Sequence, residues 1–426
     1  MRVLVTGAYG LIGAACLARL YATGHDVVAA GRNIRGARRR FPFAQWAAAD
    51  FTKLTDAPAW LPLLQGIDSV VNCVGVLQDG LRDDVRGVQF EGTKALFDGC
   101  VRAGVQRVVH ISAIGAEPHG PSEFARSKAG AEDYLRGLPL EWVILRPALV
   151  LGSAAYGGTA LLRGLAAFPG IVPIVHADAR IQLIGLDDLT ETIVRALRPD
   201  TPARTVWDVA HPQVHRLADI VTAVRGWLGF PPRPVLALPD PLAKIVALFA
   251  DALGWLGWRS PARSTSLAQL AAGVIGDPAR WIAETGIAPK SLDQILAARP
   301  AVVQDRWFAR LYLLKPFAIL GLVFAAIAPS AGMLGFFLRS HVVGVLHRGL
   351  AVLVGSSAIS FLAGLSLLFR PAARCALYVL LALTLFHLLG LWVKPSISFL
   401  WLFNTATFWL PMLLVVLFTL GILDNR

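Results

Sequence analysis

The sequence predicts an α/β fold built on a doubly wound parallel sheet, followed by an all-α, four-helix transmembrane domain. Short apolar strands alternate with helices over residues 1–150, and four long apolar runs follow residue 300. Charge is divided in the same way, because residues 301–426 hold only nine of the 40 Lys and Arg and two of the 28 Asp and Glu. We therefore expect one domain over residues 1–300, with its core in 1–150 and a small mixed lobe mainly in 151–300, and a membrane domain over 301–426.

The bulk composition favours a membrane protein over one that binds nucleic acid. Hydrophobic residues make up 55% of the 426 residues, and the mean hydropathy is +0.58, too high for a wholly soluble protein of this size. Basic residues near the apolar runs lie mostly at the ends of the runs, as expected beside a bilayer. The basic stretch from Arg35 to Arg40 is interpreted as a solvated loop beside a nucleotide phosphate. The four cysteines share no CxxC spacing, so we expect no metal site and no disulfide framework.

A glycine-rich turn at the start of the chain predicts a dinucleotide site. Arg2–Thr6 has the pattern of a short buried strand, and an apolar helix follows. Between them, Gly7 permits a tight turn, Gly10 lets the backbone approach a pyrophosphate, and Gly13 lets the helix pack close to the strand. The pyrophosphate would lie at the helix N-terminus, where free N–H groups and the helix dipole favour anions.

The strands that follow predict both the sheet and the cofactor. They are predicted at His25–Ala30, Trp46–Ala49, Ser69–Val74, Arg107–Ser112 and Glu141–Leu145. NAD enzymes usually place an acidic residue at the end of the second strand, whereas this chain has Gly31-Arg32-Asn33. Because an arginine here pairs with a 2′-phosphate, we expect NADP(H) rather than NAD(H). The alternative is that Arg32 is a surface residue.

These and later motifs resemble those of the extended and atypical short-chain dehydrogenases/reductases over about residues 1–300. TGAYGLIG is similar to the glycine motif of that family, Asp50 in AADF to its adenine-binding acid, and NCVG to the motif along its adenine ribose. SAIGAEP, FARSKAGAE, LRPALVLG and IQLIGLDDL follow in the order of the family. The resemblance implies a Rossmann fold whose cofactor contacts Gly7, Tyr9, Gly10, Leu11, Ile12, Gly13, Arg32, Asp50, Phe51, Val74, Gly75, Lys128 and Pro147.

One substitution separates this chain from the active members that it resembles. FARSK matches their YxxxK element except that Phe124 replaces the tyrosine. In active members the phenol transfers the substrate proton, the lysine lowers the pKa of the phenol and holds the nicotinamide ribose, and a serine steadies the carbonyl. The resemblance implies Ser112 and Lys128 at the catalytic positions, but Phe124 has no proton to give. Tyr134 is another phenol, yet its place on the helix is about 80° from the face of Phe124, where packing is the expected role.

Within the family, this chain is most similar to the branch that contains the NADPH-binding accessory subunit of respiratory complex I. The similarity lies in the absence of the tyrosine and in the segment LAAGVIGDPARW. Gln89 is a further departure, because it stands where the extended family commonly has Asn. We therefore expect a chain that holds NADP(H) in a structural or redox-sensing role. The alternative is an NADPH-dependent oxidoreductase acting on a quinone or another lipophilic acceptor, and both interpretations stay open here.

The last third of the sequence predicts four membrane spans. The apolar runs are Leu311–Ala328, Gly344–Phe369, Ala373–Val393 and Leu400–Leu423, with breaks at PSAG (329–332), Arg370-Pro371 and Lys394-Pro395. With the nucleotide domain in the cytoplasm, five flanking basic residues fall on the cytoplasmic side and three fall opposite. We expect a multi-pass protein of the inner (cytoplasmic) membrane. The pattern resembles DoxX-like four-helix domains, some of which accompany quinone-linked oxidoreductases, so the expected partners are the bilayer and either a quinone or a membrane protein complex.

Two further features carry open alternatives. His387, inside the third run, would either bond a quinone carbonyl or bond Asn404 and hold two helices together. Leu242–Trp258 is apolar but holds two charges over 17 residues, which is short for a span. We expect an amphipathic helix that covers the cleft, packs in the lobe, or lies on the bilayer surface.

Overall fold

The computed structural model describes residues 1–81, 83–339, 348–393 and 399–423. The chain divides into two compact units. The first unit consists of Met1–Asp251 and Ser260–Val303, and the second consists of Ala252–Arg259 and Gln304–Arg426.

The first unit alternates strands and helices. In chain order, its strands are β1 Arg2–Thr6, β2 Asp26–Gly31, β3 Gln45–Ala48, β4 Ser69–Asn72, β5 Arg107–Ile111, β6 Glu141–Pro147, β7 Leu149–Leu151, β8 Val172–Val175, β9 Arg180–Ile181, β10 Leu183–Gly185, β11 Thr205–Val209, β12 His215–Arg216 and β13 Val235–Leu238. The helices are α1 Leu11–Ala22, α2 Ile34–Arg40, α3 Ala57–Leu64, α4 Gly92–Ala103, α5 Glu123–Arg136, α6 Gly158–Ala166, α7 Leu186–Ala196, α8 Leu217–Trp227, α9 Asp240–Trp255, α10 Ser264–Ala272, α11 Ala279–Thr285 and α12 Leu292–Ala297. The part of α9 after Asp251 belongs to the second unit. A π-helical turn, Gly87–Glu91, leads into α4.

The main sheet is parallel and has the strand order β11-β6-β5-β4-β1-β2-β3. Val3 of β1 pairs with Val27 of β2 on one side and with Ser69 of β4 on the other. The strand order therefore reverses between β1 and β4, and ligands of such sheets bind at the carboxyl ends of the strands at this switch point. The glycine turn after β1 and the loop after β4 meet there.

Helices cover both faces of this sheet. Val3 and Val5 belong to a buried cluster with Leu17 of α1, whereas Leu4 belongs to a second cluster with Leu96 of α4. Because successive side chains of a strand point to opposite faces, a sheet covered on both faces needs continuous apolar strands. This requirement explains why the strands could be found as short apolar runs.

The predicted parallel sheet is confirmed, and each predicted strand lies within two residues of an observed strand at either end. The sheet also takes a seventh strand, β11, from beyond the predicted core of residues 1–150. Its sequence, TVWDV, buries Thr205, Trp207 and Val209 on alternate positions. Five residues that include the charged Asp208 are too few to separate a sheet strand from lobe structure by periodicity.

The basic stretch from Arg35 to Arg40 forms helix α2, so the expectation of a loop there is wrong. Arginine is a good helix former, and Ala37 is the buried residue of this helix. Arg38 donates a hydrogen bond from Nη2 to the Trp46 carbonyl at 3.2 Å. The remaining arginines therefore project from a short helix rather than from a loop.

The second unit is helical. Its main helices are α13 Val303–Arg339, α14 Arg348–Leu367, α15 Arg370–Val393 and α16 Phe399–Ile422. They share one apolar core that includes Leu322, Leu377 and Val416. A Cβ added to Gly364 of α14 would lie 2.8 Å from the Ile327 side chain of α13, so the absence of a side chain permits this close packing.

Two helical stretches among the described residues are long and apolar enough to cross a bilayer, Val303–Gly335 and Arg370–Leu389. The other two predicted spans stay predictions, because their described apolar stretches, Val354–Leu367 and Phe408–Ile422, are shorter. The predicted break at PSAG (329–332) is wrong, since α13 continues through Pro329. A proline removes one backbone hydrogen bond, and apolar surroundings favour keeping the others.

Replacing Trp207 tests the contribution of β11 to the sheet. Trp207 is fully buried, and its Nε1 donates to Glu284 Oε2 at 2.6 Å. We expect Trp207→Ala to lower the free energy of unfolding by about 3–5 kcal/mol through the cavity that it leaves. Leu61→Ala, at an exposed position of α3, should change it by at most about 0.5 kcal/mol. Urea unfolding followed by near-ultraviolet circular dichroism measures both, and equal effects would contradict the packing described.

Candidate functional site

The turn after β1 has the geometry that its glycines predict. Gly7 has a φ of +64°, and the Gly10 N–H donates to the Gly7 carbonyl at 2.9 Å. A Cβ on Gly7 would lie 2.9 Å from the Cys73 carbonyl oxygen, and one on Gly13 would lie 2.3 Å from the Gly7 carbonyl oxygen. Side chains at either position would therefore force the turn away from β4 or from α1.

The N-terminus of α1 is suited to an anion. Among the described residues, no side chain caps its first N–H groups, and its first turn holds no acidic residue. The partial positive charge of the helix is thus left for a ligand. Leu11 and Ile12 pack against the core and fix the start of the helix. A Cβ on Gly31, at the end of β2, would lie 2.3 Å from the Tyr9 ring, so only glycine leaves room for this ring.

Asp50 and Phe51 lie just beyond the end of β3. Asp50 is half-buried, and its Oδ1 accepts hydrogen bonds from the Thr52 N–H at 3.2 Å and the Thr52 hydroxyl at 2.8 Å. Phe51 is buried and packs edge-to-face on Trp60, with ring centroids 4.9 Å apart. These contacts hold the Asp50 carboxylate at the carboxyl edge of the sheet, where the resemblance expects an adenine.

Arg32, the expected partner of a 2′-phosphate, is paired with a carboxylate. Its Nη2 donates to Asp83 Oδ1 at 2.8 Å. Asp83 belongs to the loop after β4, in which the Gly80 N–H donates to the Asp83 carbonyl at 2.8 Å. Sequence reasoning missed Asp83 because it lies far from Arg32 along the chain and belongs to no motif.

Lys128 links the ends of two strands. The side chain is buried, and its Nζ donates to the Ile111 carbonyl at 2.7 Å and to the Val74 carbonyl at 3.3 Å. Burial lowers the pKa of Lys128 to about 8, although the nearby Glu132 carboxylate acts in the opposite direction. The lysine of the FARSK element therefore fixes the loop that carries Val74 and Gly75 against β5.

Gln89 brings an unpaired acceptor to the same place. The π-helical turn buries its side chain, and Nε2 donates to Ser127 Oγ at 3.1 Å. Its Oε1 has no hydrogen-bond partner among the described residues. A Cβ on Gly75 would lie 3.7 Å from this oxygen and 3.8 Å from Lys128 Nζ. An acceptor and a cationic donor thus face one stretch of bare backbone, which suits a pair of ribose hydroxyls.

Ser112 points into an ionic cluster. Its hydroxyl donates to Glu132 Oε1 at 2.5 Å, and Glu132 is fully buried. Arg146 binds both oxygens of this carboxylate, at 2.9 and 2.6 Å. In this geometry the Ser112 hydroxyl donates its proton in a hydrogen bond to Glu132 and not toward a substrate. The catalytic role expected for Ser112 stays a prediction.

Phe124 lies one helical turn before Lys128, on the same face of α5. Ser122 caps this helix, since its Oγ accepts from the Ala125 N–H at 3.1 Å. Tyr134, further along α5, instead donates its hydroxyl proton to Asp98 of α4 at 2.5 Å. Burial and Asp98 together raise the pKa of Tyr134 to about 12. The Phe124 position therefore carries no ionisable group, and Tyr134 is bonded to a neighbouring helix.

Pro147 and α10 complete the carboxyl edge of the sheet. Pro147 ends β6 and accepts a hydrogen bond from the Ile114 N–H at 3.3 Å. Gln78, in the loop after β4, donates to Ser266 of α10 at 2.5 Å. Gln269 of the same helix donates to Ser122 at 2.5 Å. Helix α10 thus joins the loops that follow β4 and β5. No motif in the sequence predicted this connection.

Comparison with known proteins identifies relatives of the first unit. Residues 7–166 match the NAD(P)H-binding family. Sterol demethylase protein B of Methylococcus capsulatus is 27% identical over 336 residues, which cover 72% of this chain and 99% of that protein. A mitochondrial protein of Arabidopsis thaliana, NADH dehydrogenase [ubiquinone] 1 alpha subcomplex subunit 9, is 32% identical over 158 residues, covering 35% of this chain and 37% of the relative.

Two more matches define the reach of these similarities. An uncharacterised protein of Mycobacterium tuberculosis is 29% identical over 253 residues, 59% of this chain, and the chain spans only 26% of the length of that relative. UDP-glucose 4-epimerase from Thermotoga maritima superposes with a TM-score of 0.54 at 17% identity, covering 74% of this chain and 100% of that structure. At this identity the likeness shows the fold alone.

The expected kind of nucleotide-binding fold and the expected homologues among complex I subunits are thereby confirmed. The preference for NADP(H) over NAD(H), the DoxX-like resemblance and the multi-pass topology stay predictions. Asn404 lies outside the residues whose side chains the structure describes, so its bond to His387 also stays a prediction.

The lowered pKa of Lys128 predicts a pH-dependent affinity for the cofactor. The ammonium form would donate hydrogen bonds to ribose oxygens of a bound cofactor, and in the ligand-free protein this form is lost above pH about 8. We expect the affinity for NADPH to be constant below that value and to fall by up to about tenfold per pH unit above it. Lys128→Met should weaken binding and abolish this dependence, whereas Lys53→Met, at an exposed site, should not. Titration calorimetry at several pH values measures the affinity. If Lys128→Met kept the pH dependence of the wild type, the dependence could not come from the Lys128 ammonium.

Proposed function

We propose that the first unit, which has a parallel Rossmann-type sheet and a segment matching the NAD(P)H-binding family, is a domain of the short-chain dehydrogenase/reductase type, and that the chain holds NADP(H) in a structural or redox-sensing role at the cytoplasmic side of the inner membrane. It would do so without the tyrosine-dependent turnover of active members. The environment of Lys128 carries the proposal. The lysine keeps its contacts at the end of the cofactor site, while Phe124 occupies the place of the proton donor.

The described residues offer groups that could contact each part of a pyridine dinucleotide. The pyrophosphate would lie on the N-terminus of α1, and the adenosine would lie between Asp50 and Arg32. The nicotinamide ribose would lie over Gly75, where it would satisfy the unpaired Gln89 oxygen and the Lys128 ammonium. When bound in its reduced form, this cofactor supplies a hydride.

Dehydrogenase turnover also needs a proton at the substrate oxygen. Phe124 has no proton to give, Lys128 is 3% exposed, and the Ser112 proton is directed to Glu132. At the three positions that active short-chain dehydrogenases use, Phe124 is apolar, Lys128 is buried and Ser112 is hydrogen-bonded to Glu132. A site of this kind retains cofactor binding and loses the usual route of proton transfer.

Membrane anchoring is supported by the second unit. Val303–Gly335 and Arg370–Leu389 have the length and apolarity of spans. Lys315 Nζ and Arg370 Nη2 donate to the Leu423 carbonyl at 2.9 and 3.1 Å, so two cations lie together at one end of the helices. Cations gathered at one end favour the cytoplasmic side for that end.

A second candidate function is an NADPH-dependent oxidoreductase for a quinone or another lipophilic acceptor. One finding favours it: a relative that the chain matches over 99% of its length is named for sterol demethylation, and sterols are membrane lipids. His387 also offers an aromatic surface, because it stacks on Trp409 with ring centroids 4.3 Å apart. This candidate requires a proton source other than the residue at position 124.

The substitution Phe124→Tyr separates the two candidates. A phenol at this position would face the Lys128 ammonium, which would stabilise the phenolate. If the wild-type site only holds the cofactor, NADPH oxidation by lipophilic quinones or ketones should appear in the mutant and exceed the wild-type rate by about 100-fold or more. Phe168→Tyr, in the lobe, serves as the control. Equal oxidation by the wild type, abolished by Arg32→Asp, would support the second candidate instead.

The pair formed by Arg32 and Asp83 predicts how the chain selects its nucleotide. A 2′-phosphate would compete with Asp83 for the guanidinium, so Asp83→Asn should strengthen NADPH binding by about 0.5–1 kcal/mol. Arg32→Gln should weaken it by about 1.5–3 kcal/mol. NADH lacks the phosphate and should respond little to either change. Calorimetric titration with both nucleotides measures this, and Asp200→Asn, which breaks a surface pair with Arg195, is the control. Equal responses to NADPH and NADH would exclude recognition of the 2′-phosphate by Arg32.

A further inference from the structure

We propose that helix α9 lies in the interfacial layer of the lipid bilayer, with its large apolar side chains among the acyl chains. This inference rests on the membrane anchoring in the proposed function and adds a second, peripheral membrane contact to it. It assigns a partner to the segment Leu242–Trp258, for which the sequence left three places open.

The apolar pattern of α9 is reversed relative to a helix of a soluble domain. Its buried positions are Ala243, Ala247, Ala250 and Gly254, which follow one another along one face. Its largest apolar side chains point away from them, since Leu248 is 71% exposed and Phe249 is 68% exposed. An amphipathic helix on a soluble domain turns its large apolar residues inward. Here small residues face the protein and large ones face outward.

The exposed face is long and continuous. Its large apolar members are Leu242, Ile245, Val246, Leu248, Phe249, Leu253, Trp255 and the following Leu256. Apolar patches of this extent mark interaction sites with proteins or membranes. The acidic Asp251 is half-buried and accepts a hydrogen bond from Arg263 at 2.8 Å, so its charge is paired within the protein. Lys244 is the exposed basic residue of the helix, which suits anionic headgroups.

The end of α9 identifies the bilayer as the occupant. Residues 252–259 belong to the second unit. There Trp258 Nε1 donates to the Leu368 carbonyl at 2.7 Å, and the Arg370 N–H donates to the Leu256 carbonyl at 2.9 Å. Arg370 is the first residue of the apolar stretch Arg370–Leu389, which is long enough to cross a membrane. The turn that directly follows α9 is therefore hydrogen-bonded to the residues at the start of a candidate span.

The side chains around this junction are those of a membrane interface. The Arg370 guanidinium lies 5.5 Å from the centre of the Trp258 ring. Arg370 also shares the Leu423 carbonyl with Lys315. Tryptophan and basic residues gather where headgroups meet hydrocarbon. Helix α9 leads directly into this junction, and it has an apolar outer face and an exposed basic residue. These are the features of a helix that lies in the plane of the membrane interface.

A depth measurement on the full-length protein tests the proposal. A nitroxide label is placed at Leu248→Cys in a Cys375→Ser background, and the protein is reconstituted into vesicles of phosphatidylcholine and phosphatidylglycerol. Protein without an introduced cysteine gives the background signal, and retained NADPH binding verifies the fold. Phe324→Cys, exposed on α13, reports the candidate span, and Leu61→Cys, exposed on α3, reports the nucleotide domain.

We expect the label at position 248 to collide more often with oxygen than with a water-soluble nickel chelate, as at position 324. The ratio should be reversed at position 61. A water-exposed label at 248 with a lipid-exposed label at 324 would overturn the placement of α9 and leave anchoring intact. Labels exposed to water at both positions would overturn the anchoring itself and this proposal with it. A label at 248 shielded from both agents would mean that a second copy or another protein covers α9, and would also overturn it.

Discussion

The hydrogen bonds of the buried Lys128 ammonium hold the nucleotide site together. They join the Ile111 carbonyl at the end of β5 to the Val74 carbonyl after β4, and so fix the loop that carries Gly75 beside the switch point of the sheet. Burying a cation is costly unless its donors are used, and two carbonyls at strand ends use them here. The pKa of Lys128 is nevertheless lowered, because these hydrogen bonds do not fully replace the hydration that the ammonium loses on burial.

Around this lysine the polar groups either pair with one another or face the bare backbone of Gly75. Ser112 is bonded to Glu132, which is in turn held by Arg146, so the serine belongs to an internal cluster. Gln89 keeps one oxygen unpaired at the place where Lys128 also points. This arrangement suits ribose hydroxyls, whereas Phe124 stands at the position that would have to supply a proton. Under the proposed function, these side chains would bind the nucleotide without a route for proton transfer.

The parts of the site that the sequence predicts are those set by local sterics. Gly7 and Gly13 could be assigned from spacing, because the strand, turn and helix that they join are adjacent in the chain. Lys128 could be assigned because it lies within one motif on one helix. Asp83 and the unpaired oxygen of Gln89 could not, since their positions depend on packing between distant segments.

The fold shows the same division. The strands of the main sheet were predictable as apolar runs, because both faces of the sheet are covered. The strand β11 was not, since its five residues include Asp208 and alternate in burial. The sequence PSAG predicted a helix break, yet α13 continues through Pro329 because apolar surroundings favour keeping the other backbone hydrogen bonds. Local rules therefore predicted the motif-bearing half of the site, and tertiary packing decided the rest.

The fate of the hydride tests most directly whether the bound cofactor turns over. The full-length protein would be loaded with NADPH carrying deuterium at the transferable position and incubated with lipids extracted from membranes. The nucleotide would then be recovered for mass spectrometry, so no particular acceptor need be assumed. We predict that the nucleotide returns reduced with its deuterium retained. Recovery of the oxidised nucleotide together with deuterium in a lipid would contradict a purely structural or sensing role and establish a reductase.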